Sequence, residues 1–161
     1  MGPDLVCSVC GTQFEAGPDE PWRCTCGGPL EFDADPLPAG PPPELDRDLG
    51  LWAFASLLPV ERRATLGEGF TPLVDAPGWA ASFKLEYVFP SGSFKDRGAT
   101  TTISRAVGLG VDRVAEDSSG NAGAAIAQYA AVAGLEADIY VPASVKASKL
   151  AAIEGTGATA V

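Results

Sequence analysis

The chain has 161 residues, 46% of them apolar, enough to bury the core of one ordinary domain and too apolar for a disordered chain. It carries 21 acidic against 11 basic residues, a formal net charge of −10, which disfavours nucleic-acid phosphates and anionic membranes as partners. It contains no histidine, which excludes Ser-His-Asp and Cys-His catalysis and histidine metal ligands within these residues, and no apolar run reaches the length of a membrane span.

Residues 1–33 hold all four cysteines, as C-S-V-C-G at Cys7 and Cys10 and C-T-C-G-G at Cys24 and Cys26. Two close pairs, each followed by glycine, suit a tetrahedral thiolate site in which the glycines free backbone amides to face the sulfurs. With no open position, zinc there would be structural, and the segment reads as zinc-ribbon-like. The plainer alternative is free or disulfide-linked cysteines. The first residues lack a basic stretch followed by an apolar core, so no secretory signal is expected, disulfides are disfavoured and a cytoplasmic location is expected.

Residues 34–48 include P-L-P-A-G-P-P-P, which reads as a stiff, extended linker. Residues 49–161 then alternate between strand and helix patterns. Leu49 to Leu58 is a short apolar stretch ended by Pro59, and Thr65 to Val74 is turn-rich. Ser82 to Val88 alternates as a strand, and a helix is predicted from about Phe94 to Val107, stopped by Gly108 or Gly110. Asp112 to Asp117 is a strand, Ala122 to Ala133 a helix with Ile126, Tyr129, Ala130 and Ala133 on one face, and Asp138 to Val141 a strand. A third helix spans Ser144 to Glu154, and a strand starts at Ala158. This order predicts an α/β fold with a parallel sheet. A parallel sheet ending on a bare strand start suggests that residues 49–161 are the first part of a longer domain.

Two motifs in that region carry chemistry. P-S-G-S-F-K-D-R-G at Pro90 to Gly98 places Lys95 in the first turn of a helix, with Ser93 as N-cap and Asp96 three residues on. The helix N-terminus carries partial positive charge, which disfavours an ammonium and favours a neutral, nucleophilic amine able to form a Schiff base. The alternative is a solvated lysine. D-S-S-G-N-A-G at Asp117 to Gly123 opens the next helix after a strand, where free amides, two hydroxyls and Asn121 can hold an anion at the carboxyl edge of a parallel sheet. The alternative is simple helix capping.

The ordered set G-E-G-F-T-P-L, K-L-E, P-S-G-S-F-K-D-R-G, S-S-G-N-A-G, V-P-A-S-V-K-A-S-K-L and G-A-T-A-V resembles the fold type II pyridoxal-phosphate enzymes. Within them it is most similar to the threonine synthase group, some of which also carry paired cysteines and a stretch similar to L-W-A-F-A-S-L-L-P-V before the glycine loop. The resemblance implies a parallel-sheet fold, pyridoxal 5'-phosphate as cofactor and Lys95 as the Schiff-base lysine. It also implies Asn121 as the hydrogen-bond partner of the cofactor's ring hydroxyl, and Ser118, Ser119, Gly120 and Asn121 as the substrate-carboxylate loop. The implied substrate is a small amino acid, the implied reaction conversion of O-phosphohomoserine to threonine and phosphate, and the implied assembly a homodimer. The family's loop for the cofactor phosphate is expected beyond these residues.

Where threonine synthases often carry S-T-G-N followed by threonine, this sequence has S-S-G-N-A-G. That admits a threonine or serine dehydratase-like enzyme, or another β-eliminating or β-replacing relative. A third reading is a non-catalytic, shortened paralogue or zinc-ribbon interaction module.

Overall fold

The computed structural model describes residues 3–33, 40, 44–118 and 120–161. Residues 34–39 and 41–43 of the expected linker, and Ser119 of the expected substrate loop, lie outside the described residues.

The cysteine segment forms a small antiparallel sheet of β1 (Leu5–Cys7), β2 (Gln13–Phe14) and β3 (Leu30–Phe32), in the order β2-β1-β3. Gly11 and Gly27 each follow a cysteine and adopt φ of 74° and 85°. Only glycine takes that conformation freely, and it lets each turn fold back on its first cysteine. The Gly11 amide reaches the Cys7 carbonyl at 2.9 Å, and the Gly27 amide reaches the Cys24 carbonyl at 2.8 Å.

The apolar stretch expected at Leu49–Leu58 folds as 3-10 turns over Arg47–Leu57, broken at Gly50 (φ 59°, ψ −134°). Gly50 is required there because a Cβ would run into the Glu68 carbonyl, and the Leu51 amide donates to that same oxygen at 2.5 Å. The turns bury Trp52 against the rest of the domain.

A hairpin of β4 (Leu73–Ala76) and β5 (Ala81–Lys84) follows, registered from Leu73 opposite Lys84 to Ala76 opposite Ala81. The strand expected over Ser82–Val88 thus ends at Lys84, and Glu86–Val88 is a 3-10 turn. The chain leaves the strand where Glu86 turns toward Thr71 and Arg97, whose side chains both bond its carboxylate. These polar bonds override the alternation of Phe83, Leu85 and Tyr87.

Helix α1 (Asp96–Leu109) starts two residues later than expected and is closed by Gly110 at φ 79°. Two hydroxyls one turn apart pin it to the preceding chain. Thr100 donates to the Ala64 carbonyl at 2.7 Å, and Ser104 accepts the Arg63 and Ala64 amides at 3.0 Å each. The parallel sheet then runs β6 (Arg113–Asp117), β7 (Glu136–Tyr140), β8 (Thr159–Ala160), in that spatial order. Helix α2 (Asn121–Ala133) connects β6 to β7, and α3 (Ala147–Glu154) connects β7 to β8.

The core gathers Ile103 of α1, Ala125, Ile126, Tyr129 and Ala130 of α2, Ala137 and Ile139 of β7, and Ile153 of α3. Alanines on the inner side of α2 bring its backbone close to its neighbours, and Gly123 brings it closest, since a Cβ there would stand 2.8 Å from Ile139 Cγ2. Ile103, Ile139 and Ile153 are buried, each contributing about 1.5–3 kcal/mol through removal of apolar surface from water. No helix among the described residues is long and apolar enough to cross a membrane.

Candidate functional site

Lys95 stands at the entrance to α1, exposed, with its Nζ 4.8 Å from the centre of the Phe94 ring. The turn before it is sharp: Gly92 has φ 79°, and its amide reaches the Phe89 carbonyl at 2.8 Å. The expected cap at Ser93 is present in altered form. Its hydroxyl accepts the Lys95 amide at 3.3 Å, while the α-helix itself begins at Asp96. Asp96 does not complete a capping box on Ser93. Its carboxylate reaches back to Ser91, bonding the hydroxyl and accepting the amide at 3.0 Å.

The two residues after the lysine are anchored in opposite environments. Arg97 points outward to Glu86, with Nη2 at 3.0 Å from Oε1 and Nε at 3.3 Å from Oε2, and covers the Phe89 ring. Its hydrogen bonds hold the Glu86 carboxyl below the usual carboxylate range, against the opposing effect of burial. The Thr71 hydroxyl adds a bond to Glu86 at 2.5 Å, and Lys84 donates to the Thr71 carbonyl. The K-L-E and G-E-G-F-T-P-L motifs are therefore one cluster around the first turn of α1.

Asp96 points inward and is fully buried. Its Oδ2 lies 3.2 Å from the Tyr129 hydroxyl of α2, which also lies 2.8 Å from Glu68 Oε2. Burial, reinforced by Glu68 and Asp96, pushes the Tyr129 phenol far above its ordinary range, so it remains a hydrogen-bond donor. Glu68 is also buried, and accepts from Trp52 Nε1 at 3.0 Å, the Leu66 amide at 2.9 Å and the Thr65 hydroxyl. Trp52 Nε1 lies 3.1 Å from Thr100 Oγ1 as well. Sequence reasoning read G-E-G as an irregular loop and Tyr129 as a face residue. The available signal was a tyrosine on an alanine-rich inner face, whose hydroxyl must find a partner when buried.

The S-S-G-N stretch stands where expected, between β6 and α2. Ser118 Oγ accepts the Gly120 amide at 3.2 Å, Gly120 is the N-cap residue and Asn121, exposed, is the first of the helix. Among the described residues no side chain caps this end of α2, where the first amides of a helix can receive an anion. Lys95 and Asn121 are not joined by a direct hydrogen bond among the described residues. They stand on helices that pack side by side and meet through Tyr129 and Asp96. An exposed amine on a braced turn at the start of α1, with Asn121 opening the helix that packs against α1, fits the lysine side of a pyridoxal-phosphate site.

The four cysteines do come together, with all their Sγ atoms within 4.8 Å of one another. Cys7 and Cys26 are 3.6 Å apart, as are Cys10 and Cys24, so the sulfurs pair across the two motifs. The Val9 and Gly28 amides point at Cys7 and Cys26 at 3.4 Å each. The Thr12 hydroxyl and amide, with the Cys26 and Cys24 thiols, draw the Cys10 thiol down to about 6. At Cys26 the Gly28 amide favours the thiolate, but the Cys10, Cys24 and Cys7 sulfurs outweigh it and push the thiol up to about 12. Arg105 of α1 holds this segment against the domain, bonding Glu20 at 2.6 Å and the Pro3 carbonyl at 3.2 Å and covering the Phe32 ring.

The chain is 34% identical to the threonine synthase of Methanosarcina acetivorans over 151 residues, 86% of this chain and 37% of that protein. It is 44% identical over 86 residues to the threonine synthase of Synechocystis, covering 48% of this chain and 22% of that protein. It thus spans between about a fifth and little more than a third of the length of the curated relatives it matches. Among solved structures it resembles a pyridoxal 5'-phosphate-dependent aspartate racemase, with a TM-score of 0.54 at 32% identity over 56% of this chain and 32% of that one. It also resembles O-ureido-L-serine synthase, with a TM-score of 0.53 at 29% identity over 56% of this chain and 32% of that one. Residues 64–161 match the family model described as pyridoxal-phosphate dependent enzyme. That match covers more than half of the 161 residues, and the chain belongs to the pyridoxal-phosphate dependent enzymes.

Proposed function

We propose that the chain provides the lysine-bearing part of a threonine synthase-like enzyme that converts O-phosphohomoserine to threonine and phosphate. The observation that carries this is the braced turn presenting Lys95 at the start of α1, in a chain 34% identical to a threonine synthase across 86% of its length. Pyridoxal phosphate, when bound, supplies an electron sink conjugated to the α-carbon of an amino acid. Lys95 would hold it through Nζ and, once released, carry a proton at the same atom. The Asn121 amide would orient the cofactor ring. Ser118, Ser119 and Gly120, with the first amides of α2, would bind the substrate carboxylate. Supplying O-phosphohomoserine and threonine to the full gene product in separate assays, and measuring release of phosphate from the first and ammonia from the second, tests the reading. Phosphate release supports a threonine synthase; ammonia release alone assigns a dehydratase, the alternative that S-S-G-N-A-G admits.

The cysteine cluster fits structural zinc in a zinc-ribbon-like segment. Metal–sulfur bonds of about 2.3 Å give a tetrahedron with edges of about 3.8 Å. The two 3.6 Å pairs are close to that edge and far longer than a disulfide bond. Two amides facing sulfur would offset thiolate charge. The reading includes a cytoplasmic enzyme, and the threonine synthases that the chain resembles support a small amino-acid substrate. A homodimer completes the reading.

A further inference from the structure

The first turn of α1 and the start of α2 must hold a fixed separation if Lys95 and Asn121 are to act on one molecule. Direct contact between them does not supply it. Apolar packing brings the two helices together, and a buried hydroxyl adds a polar link between them. Tyr129 lies on the same helix as Asn121, eight residues on, about 12 Å along the axis. Its Oη sits between Asp96, which follows Lys95 and ties down Ser91, and Glu68, which gathers Trp52 and the Leu66 amide. Asp96 and Glu68 are both buried, and among the described residues no lysine or arginine forms a salt bridge with either. The phenol oxygen lies within hydrogen-bond distance of both and has one proton, which it donates to one of them at a time.

We propose that Tyr129 is a positioning residue for Lys95, setting the placement of the lysine's turn relative to the helix that carries Asn121 through the Asp96–Tyr129–Glu68 bridge. This rests on the reading of Lys95 as the cofactor lysine. It assigns work to residues that touch neither cofactor nor substrate. The helix packing around Tyr129 is alanine and isoleucine, so removal of the hydroxyl alone leaves the shape of the core intact. What changes is how firmly Asp96 holds Ser91 and the turn between them.

The test uses the full gene product with a limiting amount of pyridoxal phosphate. Three readouts are followed: the visible absorption of bound cofactor, the yield of borohydride-trapped cofactor on Lys95 by peptide mass, and the melting temperature without cofactor. Tyr129→Phe is expected to remain folded, to lower trapping at Lys95 about tenfold, the effect of one buried hydrogen bond, and to shift the absorption band. Asp96→Asn is expected to do the same, and the double variant to be no worse than the poorer single, because both act through one bridge. Unchanged trapping and absorption in Tyr129→Phe, whatever its melting temperature, would overturn the inference, as would full additivity in the double variant. If Tyr129→Phe does not fold, Glu68→Gln and Asp96→Asn are judged by the same criteria. Absence of trapping at Lys95 in the unaltered protein removes the underlying reading and the inference with it. Normal trapping there with no response to the variants removes the inference alone.

Discussion

Arg105 and Glu20 are 85 positions apart, yet their side chains form a two-point ion pair, with Nη2–Oε2 at 2.6 Å and Nε–Oε1 at 3.2 Å. The same guanidinium bonds the Pro3 carbonyl and lies 4.7 Å from the centre of the Phe32 ring. One side chain of α1 thereby collects the chain before β1, the loop between the cysteine pairs, and β3. Arg105→Ala should release the cysteine segment without melting the α/β core. The expected signs are faster limited proteolysis within residues 3–33 and a stability loss of about 1–3 kcal/mol, since the pair is largely buried and charge-assisted. Unchanged proteolysis would show that the segment is held by other contacts.

Gly123 cannot carry a side chain in place. A Cβ would collide with the Ser118 carbonyl and meet Ile139 Cγ2 at 2.8 Å. Gly123→Ala must push α2 off β7 or distort the S-S-G-N turn, at a cost of about 1–3 kcal/mol. Thermal melting checks the loss. Gly108, whose Cβ position is open, provides the control: Gly108→Ala should stabilise α1 slightly.

The helices and the parallel strands were legible because their signals are local. Glycines close α1 and α2, and alternation marks β6 and β7. Of the hairpin, β5 was legible in part from the alternation that starts at Ser82, whereas β4 was not, because it is exposed along most of its length and carries no clear buried face. Lys95 and Asn121 could be named from motif order, and the cysteine cluster from its spacing. Glu68, Asp96 and Tyr129 could not be grouped, because their meeting depends on how α2 lies against α1 and the glycine loop. A buried glutamate between two glycines has the same sequence as an exposed one.

Glu86 gives a pH dependence with a definite sign. Arg97 and Thr71 favour its charged form, so its folded-state value lies below the ordinary 4.5. A depressed carboxyl contributes stability above its unfolded value and loses it as pH falls through the folded one. Unaltered protein should therefore exceed Glu86→Gln in melting temperature near neutral pH, and the gap should close below pH 4.5. The gap should be small, because both partners are partly exposed and salt screens them. A gap that widens on acidification would contradict the Arg97–Glu86 assignment.

Metal content tests the cysteine cluster. Purified protein should contain one zinc ion per chain, and Cys7→Ser should lose most of it, since three thiolates bind a structural zinc far more weakly than four. A chelator should make residues 3–33 sensitive to protease while the α/β core still melts cooperatively. Full zinc content in Cys7→Ser would contradict a four-cysteine site.

The central claim is that Lys95 is the residue that holds pyridoxal phosphate. Its most direct test is borohydride reduction of the cofactor-loaded full gene product, followed by peptide mass mapping. The account predicts one phosphopyridoxyl group per chain, on the peptide containing Ser93 to Arg97, and none in Lys95→Ala. A reduced cofactor on Lys84, Lys146 or Lys149, or undiminished labelling in Lys95→Ala, would contradict it.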